Sequence, residues 1–346
     1  MTDTADEKVG RMGDNRMPTL SDVARAAGVS PMTVSKVLRN TGSISTATQA
    51  RVRAAAERLG YVPNTLAGAL SSQVSRMVGV VIPSLKDAVF AEVLSGIAGV
   101  LRPRGFHTFI GESSFDVEIE ADLLRTMLSI QPAGLILTGG IPRGPALPQL
   151  IAQRGCPAVQ IWDAEDPAFA LSIGPSHREA GAMVATHFRS RGRVRIGYIG
   201  AELNRDLCAA RRYRGFAAAL ALSGIAVEAE LDDDLPRQGE TGRLLTARLL
   251  ALRPDLQAIY YLNDAMALGG LQYLHAAGIA VPDQIAVAGY NGTGLQQTVR
   301  TRLTTVDVPR RRIGEEAARV LLARIDGTDP APLWQPPLEL LIGNTG

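Results

Sequence analysis

Residues 18–40 constrain this chain more than any other stretch: Pro-Thr-Leu-Ser-Asp-Val-Ala-Arg-Ala-Ala-Gly-Val-Ser-Pro-Met-Thr-Val-Ser-Lys-Val-Leu-Arg-Asn. The run reads as two short helices broken by one tight turn. Val23 and Ala24 point inward from the first helix, and Val29, Val34, Val37 and Leu38 close a small core. Gly28 supplies the turn, where a residue must be free to take positive φ. Ser30 is placed to cap the second helix, and Pro31 sits at the first helical position, where a missing N–H costs nothing. Met32, Thr33, Ser35 and Lys36 then fall on the outer face near that helix's N-terminus, the position from which a helix-turn-helix reads base edges in a major groove.

A third amphipathic helix is expected over 45–59, with Thr46 and Gln49 as a capping box and Val52, Ala55, Ala56 and Leu59 as its inward stripe. Gly60 ends it. Tyr61-Val62-Pro63-Asn64 follows, and then a short weak helix candidate, Thr65–Leu70. Between residues 18 and 70 there are six Lys/Arg (Arg25, Lys36, Arg39, Arg51, Arg53, Arg58) and two acids (Asp22, Glu57). The local excess of +4 exceeds the +2 of the whole chain, so positive charge is concentrated at one end, as a nucleic-acid footprint requires.

These pieces resemble the headpiece of the lac/gal repressor (LacI/GalR) family. The matching strings are Thr-Leu-Ser-Asp-Val-Ala, Ala-Gly-Val-Ser, Thr-Val-Ser-Lys-Val-Leu, Arg-Val-Arg-Ala-Ala-Ala-Glu-Arg-Leu-Gly-Tyr-Val-Pro-Asn and the Ala67/Leu70 hinge. The likeness extends over nearly everything after residue 17. It implies a DNA-contact set of Thr19, Ser30, Met32, Thr33, Ser35, Lys36, Asn40, Asn64, Ala67 and Leu70. By resemblance, Leu70 is the apolar wedge that enters the minor groove, and Ala67 keeps paired hinge helices close.

From residue 76 the pattern changes. Apolar runs recur at 77–82, 106–110, 134–137, 158–162, 196–199, 258–262, 285–288 and 303–306, with helical stretches between them. Alternation of buried strands and helices predicts parallel sheets covered on both faces. At 346 residues the chain is too long for one ordinary core. The expected layout is a disordered leader (1–17), a helix-turn-helix headpiece (18–62), a hinge helix and linker (63–75) and an α/β core (76–346). The core divides into lobe 1, about 76–173 and 303–330, and lobe 2, about 174–302 and 331–343. By resemblance this core is like the periplasmic binding proteins, with a ligand between the lobes.

Several residues fall at strand ends, where open α/β sheets place ligands. Asp163 ends the Gln-Ile-Trp strand. The resemblance adds Phe90, at an effector-stacking aromatic of the purine-binding branch, and Arg212, at the arginine that grips the effector. Cys208 takes the place of a small polar contact, and Asn263 matches a sugar-hydroxyl contact. Asn291 stands where many sugar-binding relatives carry Asp. An aspartate there would repel a carboxylate ligand; asparagine removes the charge and, with Arg212, favours an anion. The strings Ala-Gly-Tyr-Asn-Gly, Leu-Asn-Asp-Ala-Met-Ala-Leu-Gly-Gly and Leu-Thr-Thr-Val-Asp-Val-Pro-Arg resemble the gluconate-utilisation (GntR-type) repressors of the family. They imply a sugar acid such as gluconate or a phosphorylated derivative; a neutral sugar or a nucleobase is the alternative.

Other classes find less support. The chain carries no nucleophile elbow, phosphate-binding glycine motif or suggestive carboxylate pair, so no enzyme and no cofactor is expected. His107, His177, His187 and His275 lack metal-ligand spacing. Trp162 and Trp334 read as packing residues. Cys156 and Cys208 make no disulfide framework, and the first 17 residues lack the apolar core of a signal peptide, which together suit a cytoplasmic regulator better than a periplasmic solute-binding protein. No run approaches 18 apolar residues. The expected assembly is a homodimer reading palindromic operator DNA, without a tetramerising heptad tail.

Overall fold

The computed structural model describes residues 17–62, 75–293 and 301–346. The chain separates into two compact units, residues 1–73 and 74–346.

The first unit holds α1 (Leu20–Ala27), α2 (Pro31–Leu38) and α3 (Thr46–Arg58). Thr19 and Asp22 form a reciprocal capping box: the Thr19 oxygen accepts from the Asp22 amide at 3.3 Å and the Asp22 carboxylate accepts from the Thr19 amide at 2.9 Å. Gly28 closes α1 at φ 65°. Ser30 caps α2, accepting from the Thr33 amide at 3.1 Å. The capping box expected at Thr46 and Gln49 is not the one formed. Ser45 caps α3 through the Thr48 amide, while the side-chain amide of Gln49 donates to the Ile44 carbonyl at 2.9 Å. Serine one residue earlier satisfies the same free amides, so Thr46 becomes the first helical residue. Val23, Ala24, Ala27, Val34, Val37, Val52, Ala55 and Ala56 make the buried core, with Leu20, Val29, Leu38, Ile44 and Tyr61 packed against it. Leu59, expected inside, is 37% exposed beyond the last helical turn.

The second unit contains two six-stranded sheets. The first holds β1 (Met77–Ile82), β2 (His107–Glu112), β3 (Gly134–Thr138), β4 (Ala158–Ile161), β5 (Leu171–Ile173) and β11 (Leu333–Trp334), in the order β11-β5-β4-β3-β1-β2, all parallel. The second holds β6 (Ile196–Ala201), β7 (Val227–Asp233), β8 (Ala258–Tyr261), β9 (Ala286–Asn291), β10 (Thr304–Asp307) and β12 (Glu339–Leu341). Its order is β12-β10-β9-β8-β6-β7, parallel except for β12 against β10. The two sheets therefore repeat one doubly wound topology, each reversing winding direction beside its first strand.

The helices are α4 (Ala88–Leu101), α5 (Val117–Ser129), α6 (Ala146–Gln153), α7 (His177–Ser190), α8 (Leu207–Ala221), α9 (Gly239–Leu252), α10 (Asp264–Ala276) and α11 (Arg310–Ile325). In lobe 1, α4 packs on α11; in lobe 2, α7 packs on α8 and α9 on α10. The α7–α8 pair is close because glycines face it: a Cβ on Gly181 would run into the Arg212 carbonyl oxygen, and one on Gly215 would run into that of Arg178.

The lobe boundaries expected near the C-terminal end need correction. β10, assigned above to lobe 1 as part of 303–330, pairs with β9 and β12 in the second sheet. β11, assigned to lobe 2 as part of 331–343, pairs with β5 in the first. The chain therefore crosses between lobes at 174–176, 308–309 and 335–338. Hydrophobic periodicity marks a strand without naming its neighbour, and the pairing decides.

Candidate functional site: a recognition-helix face and an interlobe cleft

On the headpiece, Met32 is 68% exposed and Lys36, one turn along α2, is exposed beside it. Thr33 lies on the same turn, and its hydroxyl stands 2.9 Å from that of Ser30. The Ser35 carbonyl accepts from the Arg39 guanidinium at 3.3 Å. Asn40 takes φ 53°, and its side-chain oxygen accepts from Arg53 of α3 at 2.7 Å. The Thr19 and Ser30 hydroxyls serve the two helix caps. Asn64, Ala67 and Leu70 lie outside the described residues.

In the core, the carboxyl ends of both sheets face one cleft. Asp87, Val89 and Phe90 follow β1, Phe115 follows β2, Thr138 and Gly139 end β3, and Trp162 follows β4. From the other lobe come Asp206 and Arg212 after β6, Arg237 after β7, Leu262 and Asn263 after β8, and Tyr290 and Asn291 at the end of β9. About 30 Å³ of this cleft is open to a water-sized sphere, room for a couple of waters. Four of the six expected effector residues, Phe90, Arg212, Asn263 and Asn291, are among its walls.

Asp163 and Cys208 are not. Asp163 is wholly buried; one carboxylate oxygen accepts from the Glu165 amide at 3.0 Å and the other pairs with the Arg211 guanidinium. Trp162 explains why. It adopts φ 74°, in the left-handed region, which turns its ring into the cleft beside Phe90 (centroids 5.6 Å) and sends the next side chain inward. Trp162 packs in the core, as expected, and is also a cleft wall; such a backbone in a bulky residue costs about 1–3 kcal/mol and persists where surroundings hold it. Trp334 packs too, beneath the Arg312 guanidinium at 5.3 Å. Cys208 is buried where the lobes touch, its thiol 3.8 Å from the Trp162 carbonyl and directly against Gly140. Burial pushes its thiol well above the usual range, so it behaves as a small apolar filler.

Arg212 is the central cation. Its Nη2 donates to the Leu262 carbonyl at 2.8 Å, and its Nη1 lies 3.1 Å from His177 Nδ1. Its guanidinium carbon lies 3.8 Å from the centre of the Tyr290 ring. Among the described residues it makes no ion pair, and its Nε meets no acceptor at hydrogen-bond geometry. The Tyr260 hydroxyl, likewise without such a partner, is close enough to feel the cation. Its hydrogen-bond and ring partners are all neutral, with Asp206 acting on it only from beyond ion-pair distance, and a buried guanidinium so placed leaves room for an anion to complete it.

Arg237 differs. It lies over the Phe115 ring at 4.2 Å and pairs with Glu202 (3.0 Å) and Asp206 (2.5 Å), so its charge is already met. Burial alone would raise Asp206, but Arg237, Arg212 and the Ala209 amide together hold its carboxyl below the ordinary range. Asp87 caps α4 through the Val89 amide, and burial raises its carboxyl.

Sequence reading missed Asp87, Phe115, Asp206, Arg237, Tyr290 and His177. The caps at Asp87 and Asp206 were available as Asp before a helical run; nothing local marks Arg237 or Phe115. No cluster of His, Cys, Asp or Glu suited to a metal occurs among the described residues. No described helix is long and apolar enough to cross a membrane.

The family model for bacterial regulatory proteins of the lacI family matches residues 19–64, and that for a periplasmic binding protein-like domain matches residues 185–345. The HTH-type transcriptional regulator GntR of Pseudomonas aeruginosa is 39% identical over 314 residues, covering 90% of each chain. The chain belongs to the lacI family. As a member it is a DNA-binding transcriptional repressor with the helix-turn-helix headpiece and two-lobed core described above. Among solved structures, a LacI-family regulator from Silicibacter pomeroyi is 39% identical with a TM-score of 0.88, covering 95% of this chain and 99% of that one. The lac repressor dimer bound to operator and the anti-inducer ONPF is 26% identical with a TM-score of 0.80, covering 95% and 99%.

Proposed function

We propose that this LacI-family repressor binds a palindromic operator as a homodimer through Met32, Thr33, Ser35 and Lys36 of α2, and that its effector is a sugar acid such as gluconate or a phosphorylated derivative. The buried Arg212 guanidinium, without an ion pair among the described residues, carries the second half of the reading. The other cleft cation, Arg237, has two carboxylate partners, so a ligand carboxylate or phosphate meets one open demand. Neutral Asn291 adds no carboxylate to those of Asp87 and Asp206 in the same cleft, and Asn263, with its amide on the Arg237 carbonyl at 3.2 Å, and Asp87 supply polar groups suited to hydroxyls. The resemblance to the gluconate-utilisation repressors points the same way. With so little free space in the cleft, entry requires the lobes to part and then close over the ligand, and that motion is the step by which an effector would change operator affinity. Use of the dimer rests on the lac repressor's likeness and on the two-fold match between dimers and palindromes.

The aromatic walls, Phe90, Phe115 and Trp162, favour one second reading, a stacked nucleobase. Binding-site selection at physiological salt, repeated with D-gluconate, 6-phosphogluconate, D-glucose and purine bases, separates the two. The reading requires a defined half-site whose occupancy responds to a sugar acid, and loss of that response in Arg212→Ala with operator binding otherwise kept. No sequence preference would defeat the operator half; a response to neutral sugars or bases alone would defeat the effector half.

A further inference from the structure

His177 is the first residue of α7, directly after the crossing from lobe 1 to lobe 2, and is fully buried. Its Nε2 lies 2.7 Å from the Trp162 carbonyl oxygen, and its Nδ1 lies 3.1 Å from Arg212 Nη1 and 3.3 Å from the Tyr290 hydroxyl. A carbonyl only accepts and a guanidinium only donates. The ring proton therefore sits on Nε2, and Nδ1 is a bare acceptor. A protonated imidazole would lose that acceptor and place a second charge against Arg212. The surroundings agree: burial, and then Arg212, hold His177 down to about 4 against the pull of the Trp162 carbonyl, Asp163 and Asp206. The ring also lies between two cleft walls, 6.2 Å from Trp162 and 5.9 Å from Tyr290 between centroids.

Trp162 belongs to lobe 1, while Arg212 and Tyr290 belong to lobe 2. We infer that His177 is a positioning residue for the effector cation: it links the Trp162 carbonyl of one lobe to the Arg212 guanidinium of the other, so Arg212 is aimed into the cleft only while the lobes hold this arrangement. An arginine needs such a hold because its long stem carries about 2 kcal/mol of rotamer entropy. Here Leu262 fixes one amino group, Tyr290 fixes the plane and His177 fixes the remaining amino group. The inference deepens the effector reading and rests on Arg212 meeting the ligand.

The test uses full-length chain and three forms. His177→Phe keeps a ring and removes both nitrogens, whereas His177→Asn keeps an amide oxygen near the Nδ1 position. Calorimetric titration with D-gluconate should weaken about tenfold in His177→Phe, as for one lost hydrogen bond to a charged group. It should recover to within about threefold in His177→Asn, since the acceptor returns. Side-chain ¹⁵N spectra give a readout independent of the ligand. Wild-type His177 should show the neutral Nε2–H tautomer from about pH 8 down to about pH 5.5, with separately resolved Arg212 Nη signals that merge in His177→Phe and separate again in His177→Asn. If wild type binds no sugar acid, the effector reading fails and the spectra alone decide the positioning role. A protonated or Nδ1–H ring at neutral pH, or a folded His177→Phe with unchanged Arg212 signals, would overturn it. Should His177→Phe not fold, the wild-type tautomer and the Asn variant still decide.

Discussion

Asp163→Asn separates the role first expected for this residue from the one its surroundings give it. Asp163 is wholly buried and faces Arg211, whose side chain is 9% exposed, across the seam between the lobes. Arg211 has a second partner, Asp166, at 2.6 Å, but that carboxylate is 67% exposed. Removing one member of a buried pair costs about 3–5 kcal/mol because the other charge is stranded, whereas an exposed pair contributes about 0–1 kcal/mol. The introduced amide oxygen would still accept from the Glu165 amide, and Asp166 still screens part of the Arg211 charge, so the low end applies: about 3 kcal/mol. For a unit of this size that lowers the melting temperature by roughly 6–12 °C, at about 2–4 °C per kcal/mol. Denaturant titration and calorimetry would read the loss. Adding Arg211→Met should cost less than the sum of the single changes, by about 1–3 kcal/mol, because both charges then leave together. Ligand affinity should be kept. An Asp163→Asn chain of unchanged stability and abolished ligand binding would refute the reasoning and restore Asp163 to the effector site.

Two further outcomes follow from packing and titration. Gly181→Ala should destabilise by about 1–3 kcal/mol or more and also weaken anion binding, because its Cβ would collide with the carbonyl of Arg212 itself; Gly99→Ala, with nothing within 4 Å, should stabilise α4 by about 0.5–1 kcal/mol, and thermal melts compare the two. In pH titrations of stability, neutral His177 contributes stability that is present above pH 6.5 and lost as pH falls towards about 4, while Asp264, raised to about 6 by burial, acts oppositely, favouring the fold at low pH and losing that contribution as pH rises through about 6. His177→Phe should therefore flatten the acid limb between pH 6.5 and about 4, and Asp264→Asn should steepen it.

What was legible in the sequence was local. The helix-turn-helix stands on short-range signals, a serine before a proline, a glycine at positive φ and three apolar stripes, and each of these acts within one turn of its own residue. Leu59 and the α3 cap were misplaced by a single position, the error expected where two neighbouring residues can satisfy the same free amides. The sheets were legible where a strand carries an apolar run of four residues or more. β7 was not, because it alternates between half-buried and exposed along its length as an edge strand does, and β5, β11 and β12 are too short to carry a pattern.

The cleft shows where such signals stop. Arg211 and Arg212 are consecutive on α8, and no local property separates them: both are buried arginines in one basic run. One step along a helix turns a side chain by about 100°, so one faces the acidic seam at Asp163 and Asp166 and the other faces the tyrosines and His177. Across the seam Trp162 and Asp163 divide in the same way. In a regular strand end Asp163 could face the ligand, but the left-handed turn at Trp162 exchanges the two directions. The charge proposed to recognise an anion and the charge that joins the lobes are thus adjacent residues on one helix. On the proposed effector reading, a ligand that draws Arg212 forward would pull on the same helical turn as Arg211, and through it on the lobe that carries Asp163.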